Sequence, residues 1–153
     1  MSGHIATIHW QRGAAPFARG QYSRVHAWRF DGGAVVPASA SPDIVPAPWS
    51  DASAVDPEEA FVATLSSCHM LWFLSLAAAQ GFIVDSYEDQ ATGQLCETAP
   101  QRMAITDVVL HPRVGFHPTH AATHEQLDAL HHAAHERCFL ANSVKTRIRV
   151  ESR

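Results

Sequence analysis

The chain has 153 residues, 46% of them hydrophobic and 17% charged, with a net charge of −4 when histidine is neutral. At this length one domain, spanning residues 1–153, is expected, and it would bury roughly 68–70% of its unfolded surface, so its core needs neither disulfides nor a structural metal. The composition excludes a disordered chain, and the negative balance argues against nucleic acid as a partner. Three cysteines rule out a fully paired disulfide framework, while eleven histidines pose the question of a metal site.

Residues 3–10 and 21–31 alternate apolar and polar side chains and read as strands. The turn Asp31-Gly32-Gly33 returns the second of them as a hairpin into residues 34–38. Residues 39–55, with Pro42, Pro46 and Pro48, read as an irregular loop. Residues 56–80 carry the strongest helix signal. Asp56 suits the N-cap, Pro57 the first helical position, and Glu59 the capping box, while Gly81 stops the helix. Its apolar residues run nearly all round (Phe61, Leu65, Leu71, Trp72, Phe73), which predicts central burial. Two long strands, 82–97 and 103–115, a second helix over 119–138 and a final strand within 142–153 complete the chain. Strand runs broken by two helices give an α+β fold with an antiparallel or mixed sheet.

No basic segment followed by an apolar one opens the sequence, so no signal peptide is expected. The apolar run 61–79 is interrupted by Thr64, Ser66, Ser67, His69 and Ser75, which argues against a membrane span. A cytoplasmic protein is the expectation, and there unpaired thiols are ordinary.

Cys68 lies in mid-helix and Cys138 at the end of the second helix. Each reads either as a small core residue or as a working thiol. Cys96, near a strand end, reads as incidental. A reactive Cys68 would need a cation to hold its thiolate. The 56–80 helix supplies no Lys or Arg, which leaves Arg24 and Arg19 as candidates. Glu58 precedes Cys68 by ten residues, about 15 Å along a continuous helix, so the two could share a site only if a second subunit brought them together.

The segments Val55-Asp56-Pro57-Glu58-Glu59-Ala60-Phe61, Ser67-Cys68-His69 and Cys138-Phe139-Leu140-Ala141-Asn142-Ser143 resemble the osmotically inducible protein and organic hydroperoxide resistance family, whose members are thiol-dependent peroxidases. The resemblance covers nearly the whole chain. It implies an intertwined α+β homodimer with two central helices. It implies that Cys68 is the peroxidatic cysteine, that Cys138 is the resolving cysteine, and that Glu58 holds a thiolate-stabilising arginine, Arg24 or alternatively Arg19. It also implies an organic hydroperoxide substrate, an external thiol reductant and no cofactor. A pocket of Phe61, Trp72 and Phe139 would favour alkyl or lipid hydroperoxides. Two features depart from the family pattern: His69 directly after the reactive cysteine, and the longer loop 39–55.

The pairs His120/His124 and His131/His135 are spaced i, i+4, as two metal ligands on one helix face would be. Without a Cys pair or a His-Glu-x-x-His pattern nearby, a solvated face is the simpler reading, and no metal is assigned. Two rivals to the peroxidase remain open. One is a non-enzymatic dimeric module that binds an apolar ligand or a metal. The other is a thiol hydrolase pairing Cys68 with His69, although adjacent helical residues point about 100° apart.

Overall fold

The computed structural model describes residues 3–153, which form two compact units, one up to Ala60 and one from Phe61 onward. The first unit holds a three-stranded antiparallel sheet of β1 (Ala6–His9), β2 (His26–Phe30) and β3 (Val35–Ala38), in that order. The expected hairpin is there. Gly33 takes a positive φ of 87°, open to glycine at no steric cost, and Phe30 N–H reaches Ala34 O at 3.0 Å to close the turn.

Helix α1 (Pro57–Ala79) starts as its sequence dictates. The Glu59 N–H donates to the Asp56 carboxylate at 2.8 Å and the Asp56 N–H donates to the Glu59 carboxylate at 2.9 Å, a reciprocal capping box. Gly81, at φ 82°, ends it. Helix α1 is long and apolar enough to cross a membrane by length and composition alone, a test that the core helix of a soluble protein also passes. Burial is also narrower than its composition implied. Only Leu65, His69, Phe73 and Ala77 are fully buried, one stripe at i, i+4 spacing, while Leu71 is 61% exposed.

The second unit corrects the expectation of two long strands at 82–97 and 103–115. There are four: β4 (Val84–Asp89), β5 (Thr92–Ala99), β6 (Arg102–Leu110) and β7 (Pro112–Phe116). β4 pairs with β7, and β5 with β6, all antiparallel. One long hairpin is thus broken at matching points on both arms, with its halves in separate sheets. The Asp89 carboxylate holds the break, accepting from the His111 N–H at 2.6 Å and from the Ser66 hydroxyl of α1 at 2.5 Å. Strand β8 (Arg147–Val150) adds in parallel to β6, which makes that sheet mixed.

Helix α2 (His124–Arg137) begins later than residue 119, because Thr123 and Gln126 form the actual capping box. His120 therefore precedes the helix and pairs with Thr119 instead, so the His120/His124 spacing does not put two rings on one helix face. Two apolar clusters form the core. One gathers Phe73, Ala77, Leu130 and Ala134 between α1 and α2, and the other gathers Leu65, Val108 and Leu110 under α1.

Candidate active site

Cys68 and Cys138 come together from the two helices. Cys68 is half-buried, on the face of α1 next to the buried stripe. Cys138 caps the C-terminus of α2, with its own N–H bonded to His135 O at 3.2 Å. The chain then turns back, and the Ala141 N–H donates to Cys138 Sγ at 3.4 Å. Burial pushes the Cys138 thiol up from its ordinary pKa. The Cys68 sulphur pushes it further, as hydrogen-bond partner and as neighbouring charge, against the lowering effect of the Ala141 and Leu140 amides. Both thiols are free. Cys138 thus keeps its proton, and a protonated thiol facing a neighbouring sulphur can donate to that neighbour's thiolate.

Beside the thiols lies an aromatic wall. Trp72, one turn beyond Cys68 on α1, meets Phe139 edge-on at 5.4 Å, and Phe139 is 69% exposed. The Arg137 guanidinium sits 5.9 Å from the centre of the Trp72 ring system, within reach of a cation–π contact. Phe61, expected in the same pocket, packs instead against the Leu65, Val108 and Leu110 cluster. The sequence reading did not single out Arg137, although it directly precedes Cys138. Cys96 is half-buried in β5, opposite Ala104.

The remaining expected residues lie in the first unit. Arg24 is committed locally: its guanidinium covers the Tyr22 ring at 3.7 Å and donates to Gly20 O at 2.9 Å. Arg19 ends a short 3-10 turn, Phe17–Arg19. Glu58 is half-buried in the first turn of α1, and among the described residues it forms no ion pair, with Arg24 or otherwise.

The sequence reading also missed a buried imidazole pair. His69 Nε2 and His131 Nδ1 are 3.0 Å apart with the rings within 11° of parallel, and both side chains are buried. Phe73 stacks on the His131 ring at 4.5 Å. His69 is lowered to about 4, first by burial and then by the fields of His131 and His135; His131 is also lowered to about 4, by burial, against the opposing pull of Asp128 and Asp89. Both rings are therefore neutral near pH 7. A cavity of about 320 Å³ lies beside the pair, lined by Asp128, His131, His132, His135 and residues of β8 and its C-terminal extension. Among the described residues, no three His, Cys, Asp or Glu side chains converge as a metal site would require.

The family model for OsmC-like proteins matches residues 50–153. The chain belongs to the OsmC-like protein family. Among solved structures it is similar to an OsmC-like protein of unknown function from Vibrio cholerae, at 51% identity and a TM-score of 0.97 over 100% of both chains. It is also similar in fold to an organic hydroperoxide resistance protein from Legionella pneumophila, at 18% identity and a TM-score of 0.70, covering 99% of this chain and 96% of that one. Bacillus subtilis OhrB, an organic hydroperoxide resistance protein, shares 17% identity at a TM-score of 0.72, with 99% and 98% covered. No curated protein sequence matches this one. The neighbours agree with the α+β expectation of two helices with antiparallel and mixed sheets.

Proposed function

We propose that this protein is a thiol peroxidase that reduces organic hydroperoxides, with Cys68 as the peroxidatic and Cys138 as the resolving cysteine. The observation that carries the reading is the meeting of two free thiols from different helices, Cys138 buried and Cys68 half-buried. The Cys68 thiolate attacks one peroxide oxygen. The O–O bond breaks, the alkoxide takes a proton and leaves as an alcohol, and Cys68 becomes a sulfenic acid. Cys138 then attacks that sulphur, and its thiol proton leaves with the displaced hydroxide as water. As Cys138 gives up its proton, the Ala141 N–H is placed to support the negative sulphur. Two equivalents of an external thiol return the disulfide to two thiols and become a disulfide themselves.

Trp72 and Phe139 supply an apolar surface beside Cys68 that favours an alkyl group over a second hydroxyl. The family resemblance assigns the cation for the Cys68 thiolate to Arg24, with Arg19 as the alternative, and its orientation to Glu58, which asks Arg24 to leave its contacts with Tyr22 and Gly20. Cys68 and Glu58 are ten residues apart on α1, so a homodimer with crossing helices is the arrangement that lets one subunit's Glu58 serve the other's Cys68.

One equivalent of tert-butyl hydroperoxide should give a dimedone-trappable sulfenate at Cys68, then a Cys68–Cys138 disulfide by mass spectrometry. Cys68→Ser should abolish peroxide consumption, and Cys138→Ala should leave the sulfenate long-lived. Undiminished consumption by Cys68→Ser would refute the proposal.

A further inference from the structure

The two buried imidazoles are costly where they stand. Whichever ring donates the shared proton, His69 Nδ1 and His131 Nε2 remain buried without a partner. A buried polar atom without a partner destabilises the fold, and two apolar side chains of similar size would hold the helices together at least as well. What an imidazole pair adds is direction. Aliphatic contact tolerates rotation of one helix against another, whereas a hydrogen bond of 3.0 Å between two ring nitrogens does not.

Where the pair sits gives that direction a use. His69 follows Cys68 on α1, and Trp72 and Phe73 continue the same two faces one turn later. Cys68 and Trp72 face the end of α2 and the residues after it, where Cys138 and Phe139 lie. His69 and Phe73 face the middle of α2, where both contact His131. Along α2 and its cap, positions 131 and 138 are seven apart, about 10 Å of rise and within about 20° of two full turns. The His131 ring and the Cys138 thiol therefore leave α2 from one stripe, and whatever fixes the azimuth of one fixes that of the other.

We propose that His69 and His131 are positioning residues for the two thiols, their hydrogen bond fixing the rotation of α2 so that Cys138 is presented to Cys68. The inference takes the pairing of the thiols from the reading above, but it can be judged without peroxide. Diamide joins two thiols into a disulfide, itself taking up two electrons and two protons to become the hydrazine. The rate at which it forms the Cys68–Cys138 disulfide in the full chain reads how well the sulphurs are placed.

The atoms involved set the substitutions. The bond uses Nε2 of His69 and Nδ1 of His131. Glutamine carries a polar atom at the reach of Nε2, and asparagine carries one at the reach of Nδ1. His69→Gln and His131→Asn should therefore form the disulfide within about threefold of the parent rate. The swapped pair, His69→Asn and His131→Gln, should be slower by about tenfold or more, since small displacements of reacting groups cost that much. The double variant His69→Phe/His131→Leu leaves no polar atom unpaired, so it should unfold at the parent's temperature yet form the disulfide as slowly as the swapped pair. It also serves if the swapped variants do not fold. Equal rates in all variants, or equal slowing in all of them, would overturn the proposal. A parallel sample treated with one equivalent of tert-butyl hydroperoxide separates the two readings: a parent that forms neither sulfenate nor Cys68–Cys138 disulfide refutes the peroxidase, while the diamide rates still judge the imidazole pair.

Discussion

Acid should destabilise this protein through His69 and His131, and the expected size can be worked out. Both are held near 4 in the folded chain against an ordinary 6.5. Between those values the unfolded chain binds protons that the folded chain refuses, so stability is fully present above 6.5 and falls as the pH drops towards 4. At 1.36 kcal/mol per unit, lowering the pH from 7 to 4.5 costs about 2–3 kcal/mol for one ring. The second ring adds about as much again, because in the fold a proton on one imidazole further opposes a proton on its neighbour. Asp89 and Asp128 pull the other way on His131, and His135 repels a proton on His69. The control is the double variant His69→Gln/His131→Asn, which keeps hydrogen-bonding atoms in place and removes both titrations. Urea unfolding midpoints should be read for both proteins from pH 4.5 to 7.5. The parent should lose at least about 2 kcal/mol more than the variant over that range. The other nine histidines and the carboxylates contribute to both proteins and cancel. Parallel pH profiles would refute the claim that the buried pair stays neutral in the fold.

Three further expectations concern the scaffold. Asp89→Ala removes the acceptor for both the His111 N–H and the Ser66 hydroxyl; it should cost about 2–4 kcal/mol by urea denaturation and raise amide exchange at His111. A Cβ on Gly93 would lie 2.5 Å from Val62 Cγ2, so Gly93→Ala should cost about 1–3 kcal/mol by thermal unfolding, and Val62→Ala should relieve part of it in the double variant. Asp56→Ala breaks the capping box of α1 and should cost about 1 kcal/mol, with no change in the pH slope set by the imidazoles.

What could be read from the sequence was local. The Gly33 turn, the Asp56–Glu59 box and the Gly81 stop each depend on residues within a few positions of one another, and each stands where expected. The break in the long hairpin depends on Asp89 reaching His111 across 22 positions and Ser66 across 23, while the strand alternation runs on through the break without a signal. The cysteines were legible as a pair only through the family resemblance, since mid-helix and helix-end thiols look alike whether they pack or react. The imidazole pair was hidden for a different reason. His131 sits in a run of histidines that reads as a solvated face, and its partner is 62 residues away. One regularity was available: both buried rings occupy positions on the apolar stripes of their helices, with His69 between Leu65 and Phe73, and His131 beside Leu130 and Ala134.

That stripe position bears on how the two neighbours Cys68 and His69 divide their work. Adjacent helical residues diverge by about 100°, so an imidazole cannot be the base for the thiol before it in the chain. The same divergence makes His69 suited to a second task, because it points at the body of α2 while Cys68 points at its end. Two contacts separated by about two turns of α2 constrain both its tilt and its rotation, where either contact alone would leave one of them free. The thiol contact must break and re-form at each turnover of a peroxidase, since a disulfide draws the two sulphurs in to about 2 Å and reduction releases them. The imidazole contact has no part in that cycle. It can therefore hold α2 in register while the sulphurs change partners, and this is why its loss should slow disulfide formation more than it changes the stability of the reduced fold.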